Sequence, residues 1–165
     1  MTVSIRPADQ PGDIGIITTL HGRHYAAACG MDQTVEAYIA AGLAAFVEAR
    51  FRDGAAAGEC WVAESAADGI VGSIGITRAD ARTLQLRWFI LDASQRGQGL
   101  GRRLLDTALD YCRAQDADRV FLLTVAGLNP AHHLYRKAGF ELTGATPGRQ
   151  WGVELVEQRF DLILG

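Results

Sequence analysis

Little in this chain can act through a disulfide or a bound metal. Its three cysteines, Cys29, Cys60 and Cys112, are odd in number and far apart, and no Cys-x-x-Cys pair occurs. That spacing argues against a disulfide framework and against a zinc module. No His/Cys/carboxylate cluster has ligand spacing, so no metal is expected. The cysteines read as small core residues in a reduced, cytoplasmic setting. No apolar run approaches the ~18–20 residues that span a bilayer. Met1 to Arg6 lacks the basic-then-apolar pattern of a secretory leader, so neither membrane nor export is expected. A basic excess is also missing: 16 Lys and Arg stand against 19 Asp and Glu, a net charge of -3. That balance gives no reason to expect nucleic acid as a partner. With 48% apolar and 21% charged residues among 165, the chain is not of the disordered class. One domain over residues 2–164, large enough to bury a core, is the expectation.

The chain opens with a short strand, Val3 to Arg6, closed by Pro7. Asp13 is placed to cap a helix from Ile14 to about Cys29, with Ile17, Leu20 and His24 at helical spacing and Gly30 as the stop. Asp32 or Thr34 caps a second helix. There Val35, Tyr38, Ile39, Leu43, Phe46 and Val47 form one stripe. After a break from Asp53 to Gly58 the texture becomes β. Cys60–Ala63 and Ile70–Ile76 flank a hairpin signal at Asp68-Gly69, and Leu84–Leu91 is the clearest strand. A helix with Leu100, Leu104, Leu105, Ala108, Leu109 and Cys112 on one face follows. Then come a strand from Val120 to Val125 and a short helix from Pro130 to Ala138. Two last strands, Phe140–Thr143 and Val153–Leu164, flank a break at Pro147-Gly148. The order predicts an α/β (α+β) sheet with helices packed on it.

The most informative segment is Ser94-Gln95-Arg96-Gly97-Gln98-Gly99-Leu100-Gly101-Arg102-Arg103, between the strongest strand and the best-patterned helix. Its glycines allow a tight turn and close backbone approach. A helix beginning there offers unpaired N–H groups and its positive dipole end, which together suit a phosphate. Arg102 and Arg103 sit where a first turn prefers acids, a local conflict that a bound anion relieves. Arg102 can instead pair with Asp106. The segment lacks the Gly-Lys-Ser/Thr of a P-loop, and its glycine spacing differs from Gly-x-Gly-x-x-Gly.

Arg96-x-x-Gly99-x-Gly101 after a strand resembles the pyrophosphate signature of the GNAT N-acetyltransferase superfamily. The run Asn129-Pro130-Ala131-His132-His133-Leu134-Tyr135-Arg136-Lys137-Ala138-Gly139-Phe140 resembles that family's second motif. Together the matches cover about 84–141. The resemblance implies the GNAT fold: a mixed, mostly antiparallel sheet of six to seven strands with about four helices, splayed after the fourth strand. It implies acetyl-CoA as donor and direct attack by a primary amine of a small molecule or peptide in a ternary complex. By carry-over, Phe89, Ile90 and Leu91 offer main-chain hydrogen bonds to the pantetheine arm and acetyl group. The amides from Arg96 through Gly97, Gln98, Gly99 and Leu100 to Gly101, with Arg102 beside them, hold the pyrophosphate. Asn129 approaches the pantetheine or the sulfur. Tyr135 donates a proton to the departing thiolate, since a phenol is protonated at neutral pH, and the Leu91 N–H serves the oxyanion.

Many members of that family carry a glutamate on the fourth strand as base. Here the strand reads Leu84-Gln85-Leu86-Arg87-Trp88-Phe89 and has no acid. Glu64, Asp92, His21, His24 and Tyr25 stay open as alternatives. Arg87 would select a substrate carboxylate if it faces the cleft, or join an ordinary ion pair if it does not. Trp151-Gly152 can line the acceptor side, while His132 and His133 read as cap or surface residues. The missing acid leaves a second reading, a non-catalytic acyl-CoA-binding sensor or regulatory module on the same fold. The acyl-chain preference is not legible. A homodimer through the long last strand is compatible with the pattern.

Overall fold

A computed structural model describes Thr2–Gly165 apart from the side chains of Asn129 and Pro130. Strand β1 (Val3–Pro7) leads into helices α1 (Asp13–Cys29) and α2 (Gln33–Asp53). Three antiparallel strands follow: β2 (Gly58–Ser65), β3 (Gly69–Arg78) and β4 (Thr83–Leu91). Then come α3 (Leu100–Arg113), β5 (Arg119–Val125), α4 (Asn129–Lys137), β6 (Glu141–Gln150) and β7 (Val153–Ile163). The seven strands form one sheet in the order β1-β2-β3-β4-β5-β7-β6. All pairs are antiparallel except β4 with β5. Among the described residues no helix is long and apolar enough to cross a membrane.

Each face of the sheet has its own core. Ile17 of α1 and Ile39, Leu43 and Phe46 of α2 pack on Cys60, Val62 and Trp88. On the other face Leu104, Leu105 and Leu109 of α3 pack on Ile74, Ile76, Leu84 and Leu122, with Tyr135, Phe140 and Phe160 beyond them. Such fully buried leucines contribute about 1.5–3 kcal/mol each.

The β4–β5 ladder is short. It covers only Thr83–Gln85 against Arg119–Phe121. Arg82 pins this closed end, donating to Asp118 at 3.0 Å from Nε and pairing also with Asp116. From Leu86 onward the two strands part, because β4 continues along β3 to Leu91 while β5 continues along β7 to Val125. A bulge in β4 sharpens the parting. Ser73 faces Ile90 and Gly75 faces Arg87, so Trp88 and Phe89 together oppose one residue of β3. Trp88 takes a left-handed φ of 52°, and its carbonyl accepts a 2.6 Å bond from the buried Ser73 hydroxyl. An extra residue reverses the side-chain alternation. Leu84 and Leu86 therefore face the α3 core, Trp88 faces α1 and α2, and Phe89 and Leu91 return to the α3 side.

Two sequence expectations change. Asp13 is the first residue of α1, and Gly12 occupies the cap position. Its carboxylate is buried and takes Arg6 Nη1 at 2.8 Å, Arg6 Nη2 at 3.0 Å and the Gln10 N–H at 3.0 Å. Pro147-Gly148 is no break: both lie inside β6, facing Val156 and Leu155. β6 is the sheet edge, where a residue without N–H is tolerated. The reversal occurs at Trp151-Gly152, with φ of 53° and 79°, the two-residue hairpin loop with both φ positive.

Burial alone would raise the Asp13 carboxyl, but the Arg6 guanidinium and the Gln10 amide outweigh it and hold the group below the usual carboxylate range. A depressed folded value means stability present above the unfolded pKa of about 3.9 and lost as pH falls through the folded one. Arg6→Met should cost about 3 kcal/mol at pH 7, the low end for orphaning a buried charge. Urea titrations should show the gap from wild type narrowing between pH 5 and pH 3; a constant gap would contradict the assignment. Gly75→Ala would place a Cβ 2.5 Å from Trp88 Cε3, in a ring held by the core. A loss of about 1–3 kcal/mol is expected, read as a drop of several degrees in Tm.

Candidate active site

The open end of the splay holds a cavity of about 650 Å³. Phe89, Ile90 and Leu91 form one wall, and Tyr135 of α4 and Tyr25 and His24 of α1 close it. Along β4 main-chain groups point alternately to the two neighbouring strands. The Asp92 N–H bonds the Val71 carbonyl on β3 at 2.8 Å, so alternation turns the Leu91 N–H toward the splay.

Beyond Leu91, Asp92 caps a short turn at Ala93–Gln95 by accepting the Ser94 N–H at 2.9 Å. The Arg96 N–H is spent on the Ala93 carbonyl at 3.3 Å. The amides of Gly97, Gln98, Gly99, Leu100, Gly101 and Arg102 have no main-chain or side-chain acceptor among the described residues, and the next bonded amide is Arg103, on Gly99. The free run is therefore 97–102, one residue later than the expected 96–101. Gly97 and Gly99 have φ of 76° and 78°, which side-chain-bearing residues rarely adopt. No side chain caps α3, so its positive end is open to an anion.

The side chains sort clearly. Arg96, Gly97, Gly99, Gly101 and Arg102 line the cavity. Gln98 turns back to the Ser94 carbonyl at 3.3 Å, and Leu100 is buried in the α3 core. Those two residues offer only their amides. Arg102 lies 3.5 Å from Asp106, an exposed pair of little energetic weight. The expected Asn129 contact falls on a side chain outside the described ones.

Tyr135 is buried among Phe89, Phe140 and Phe160, with ring centroids 5.8–6.2 Å away. Its hydroxyl has no hydrogen-bond partner among the described residues. Burial, with Tyr25 nearby, pushes the phenol far above its ordinary value, so it stays protonated.

The five alternatives for a base separate. Glu64 is bound by Arg6 at 2.8 Å, and Asp92 by its cap; neither lines the cavity. His21 is buried, its Nδ1 lies 2.8 Å from the Ile17 carbonyl, and burial holds it down at about 4. Burial raises Tyr25 to about 12. His24 lines the cavity, and burial and then Arg96 lower it. Among the described residues lining this cavity and its neighbour, the single carboxylate is one the sequence reading missed, Glu157 of β7. It faces Val125 on β5 and Thr146 on β6. The nearby Arg159 pairs with Asp161 at 2.9 Å and not with Glu157.

Glu157 belongs to a smaller recess of about 100 Å³ on the α1–α2 side. The recess is roofed by Tyr38 and Trp151, 5.4 Å apart, and shares Tyr25, Arg87 and Trp88 with the main cavity. The β6–β7 turn is fastened there by the Asp32 N–H on the Trp151 carbonyl at 2.9 Å. Trp151 lines this recess. No group of three or more His, Cys, Asp or Glu suited to a metal occurs among the described residues.

Comparisons with known proteins agree with this geometry. Human N-acetyltransferase 8B is 36% identical over 100 residues, covering 57% of this chain and 44% of that protein. The chain spans less than half the length of the curated relatives it matches. An N-acetyltransferase from Staphylococcus aureus Mu50 superposes with a TM-score of 0.78 at 17% identity, covering 100% of both chains. The Salmonella typhimurium protein yncA, whose structure holds acetyl-CoA, superposes with a TM-score of 0.73 at 20% identity, over 100% of this chain and 95% of that one. These likenesses establish the fold as GNAT. The model of the acetyltransferase (GNAT) family matches residues 26–140, and the chain belongs to that family.

Proposed function

We propose that residues 2–164 form one N-acetyltransferase domain that moves the acetyl group of acetyl-CoA to a primary amine by direct attack within a ternary complex. The single observation that carries this is the run of unpaired amides from Gly97 to Arg102 at the mouth of the cavity. Leu100 and Gly101 are buried and the other four residues of the run are exposed; the last three are the first-turn amides that a helix start leaves unpaired, and the glycines before them leave the main chain open to a ligand. A run of such donors at an uncapped helix start matches a pyrophosphate, and Arg96 and Arg102 add charge beside it. The unpaired edge of β4 leads from there toward Tyr135, as an extended pantetheine arm requires.

When bound, acetyl-CoA supplies an activated acyl carbon. The chain's residues do the rest. The Leu91 N–H faces the position where charge gathers on the acyl oxygen. In that reading the amine nitrogen would bond to the acyl carbon as the carbon–sulfur bond breaks, and the Tyr135 hydroxyl would give its proton to the sulfur and recover one from the nitrogen, which sheds its second proton on becoming an amide. Glu157 takes the proton that the incoming ammonium must lose, directly or through water. The aromatic walls limit water around the thioester and so protect it from hydrolysis.

Thermal shift with CoA at 100 times its Kd should stabilise the protein by about 2.7 kcal/mol. Gly99→Asp, which strains a left-handed turn and sets a negative charge by the phosphates, should abolish most of that shift; unaltered CoA binding would refute the phosphate cradle. Tyr135→Phe should keep the shift and lower kcat for thiol release with an amine by about 100-fold, the low end for a lost general acid. An unchanged kcat would remove Tyr135 from the chemistry.

A further inference from the structure

The recess beside the cavity is lined by a cation, Arg87. Arg87 is half-buried on β4, and among the described residues its guanidinium has no carboxylate within ion-pair distance and no hydrogen-bond acceptor. It is nevertheless held in place. Its Cζ stands 4.5 Å from the centroid of the Trp88 ring. Its Nη2 lies 2.7 Å from where a Cβ on Gly42 would be, in the middle of α2. Glycine inside a helix costs stability relative to alanine, and the space it leaves is where the guanidinium sits. The bulge at Trp88 puts both groups on the α2 side. Arg87 lines both the main cavity and the recess, at the junction where an acceptor meets the thioester.

A seated guanidinium on a residue that lines a cavity is suited to a planar, two-oxygen anion. Glu157 lies on the other wall of the recess, on β7, and is not paired with Arg87. The recess therefore offers one positive and one negative group to one small molecule. Its volume of about 100 Å³ suits a molecule of amino-acid size and excludes a polyamine or an aminoglycoside lying wholly within it. On the proposed acetyl-transfer reading, we infer that the acceptor is a free α-amino acid, its carboxylate held by Arg87 and its α-amine turned toward Glu157 and the thioester. Tyr38 and Trp151 then face its side chain, which favours an apolar or planar one. Gly42 is a positioning residue: it acts through Arg87.

The test uses CoA-stabilised protein, acetyl-CoA and the twenty common L-amino acids, each beside its α-carboxamide. Thiol release and calorimetric titration are both read. At least one acid should be acetylated with kcat/KM about 10–100-fold above its amide, the range for losing a charge-assisted pair. Arg87→Gln should remove that preference, bringing acid and amide within twofold, and leave the CoA thermal shift intact. Gly42→Ala should displace the guanidinium and raise KM for the acid about 10-fold, with kcat within twofold and Tm unchanged or higher. The inference is overturned if amides serve as well as acids, if Arg87→Gln keeps the preference, or if no member of the panel is bound or acetylated while CoA still shifts Tm. A protein that CoA does not stabilise would instead overturn the acetyl-transfer reading itself.

Discussion

A three-residue ladder decides what this molecule can do. β4 and β5 are bonded only over Thr83–Gln85 and Arg119–Phe121, and Arg82 ties their closed end to the Asp116–Asp118 loop. Each main-chain amide and carbonyl of a sheet needs a partner. Once the strands part at Leu86, the facing edges lose theirs, and the groups left over lie inside the molecule beside a cavity. A ligand that is itself extended and bears amides satisfies such an edge as another strand would. The opening is thus both a defect in the sheet and the reason for a binding site. It persists because β4 and β5 are each secured on their outer sides, by β3 and β7.

The β4 bulge then assigns the walls. Without the extra residue, strict alternation would carry the side chains of β4 in one sequence along both faces. With it, Arg87 and Trp88 serve the α1–α2 side, and Phe89 and Leu91 serve the α3 side. One strand so contributes to two neighbouring chambers, one of about 650 Å³ and one of about 100 Å³. Charge is separated along the same path. Helix-end amides, Arg96 and Arg102 lie at one end, Glu157 and Arg87 at the other, and two protonated tyrosines lie between them.

Local signals carried most of the element order. Periodicity marked α2 and α3, alternation marked β4, and the glycine turn and the Tyr135 segment marked two stretches that line one cavity. What the sequence hid has physical reasons. The Pro147-Gly148 pair looks like punctuation, and only the edge position of β6 makes it tolerable in a strand. Trp151 is a poor sign of a two-residue turn, because positive φ is normally left to Gly, Asn or Asp; packing on Tyr38 and the Asp32 amide hold it there. Asp13 looked like a cap and is the anchor of Arg6. Glu157 was invisible because β7 inserts between β5 and β6, a long-range placement that no window of sequence encodes.

The two chambers also differ in the kind of atom they use, and that difference explains what could be read. The main cavity offers chiefly main-chain amides, whose availability depends on where a helix starts and where glycines bend the chain. Such geometry leaves a compact trace in the sequence, here within 89–102 and 129–140. The recess offers side chains brought from α1, α2, β4 and the β6–β7 hairpin, at positions as far apart as Tyr38, Arg87, Trp151 and Glu157. No short motif can record four elements at once. A family assignment from residues 26–140 reaches all of the first chamber but His24 and Tyr25, and leaves out His21, Tyr25, Trp151 and Glu157 of the second. The chemistry of the donor therefore follows from the family, while the identity of the acceptor has to be argued from the charges and the volume of one small recess.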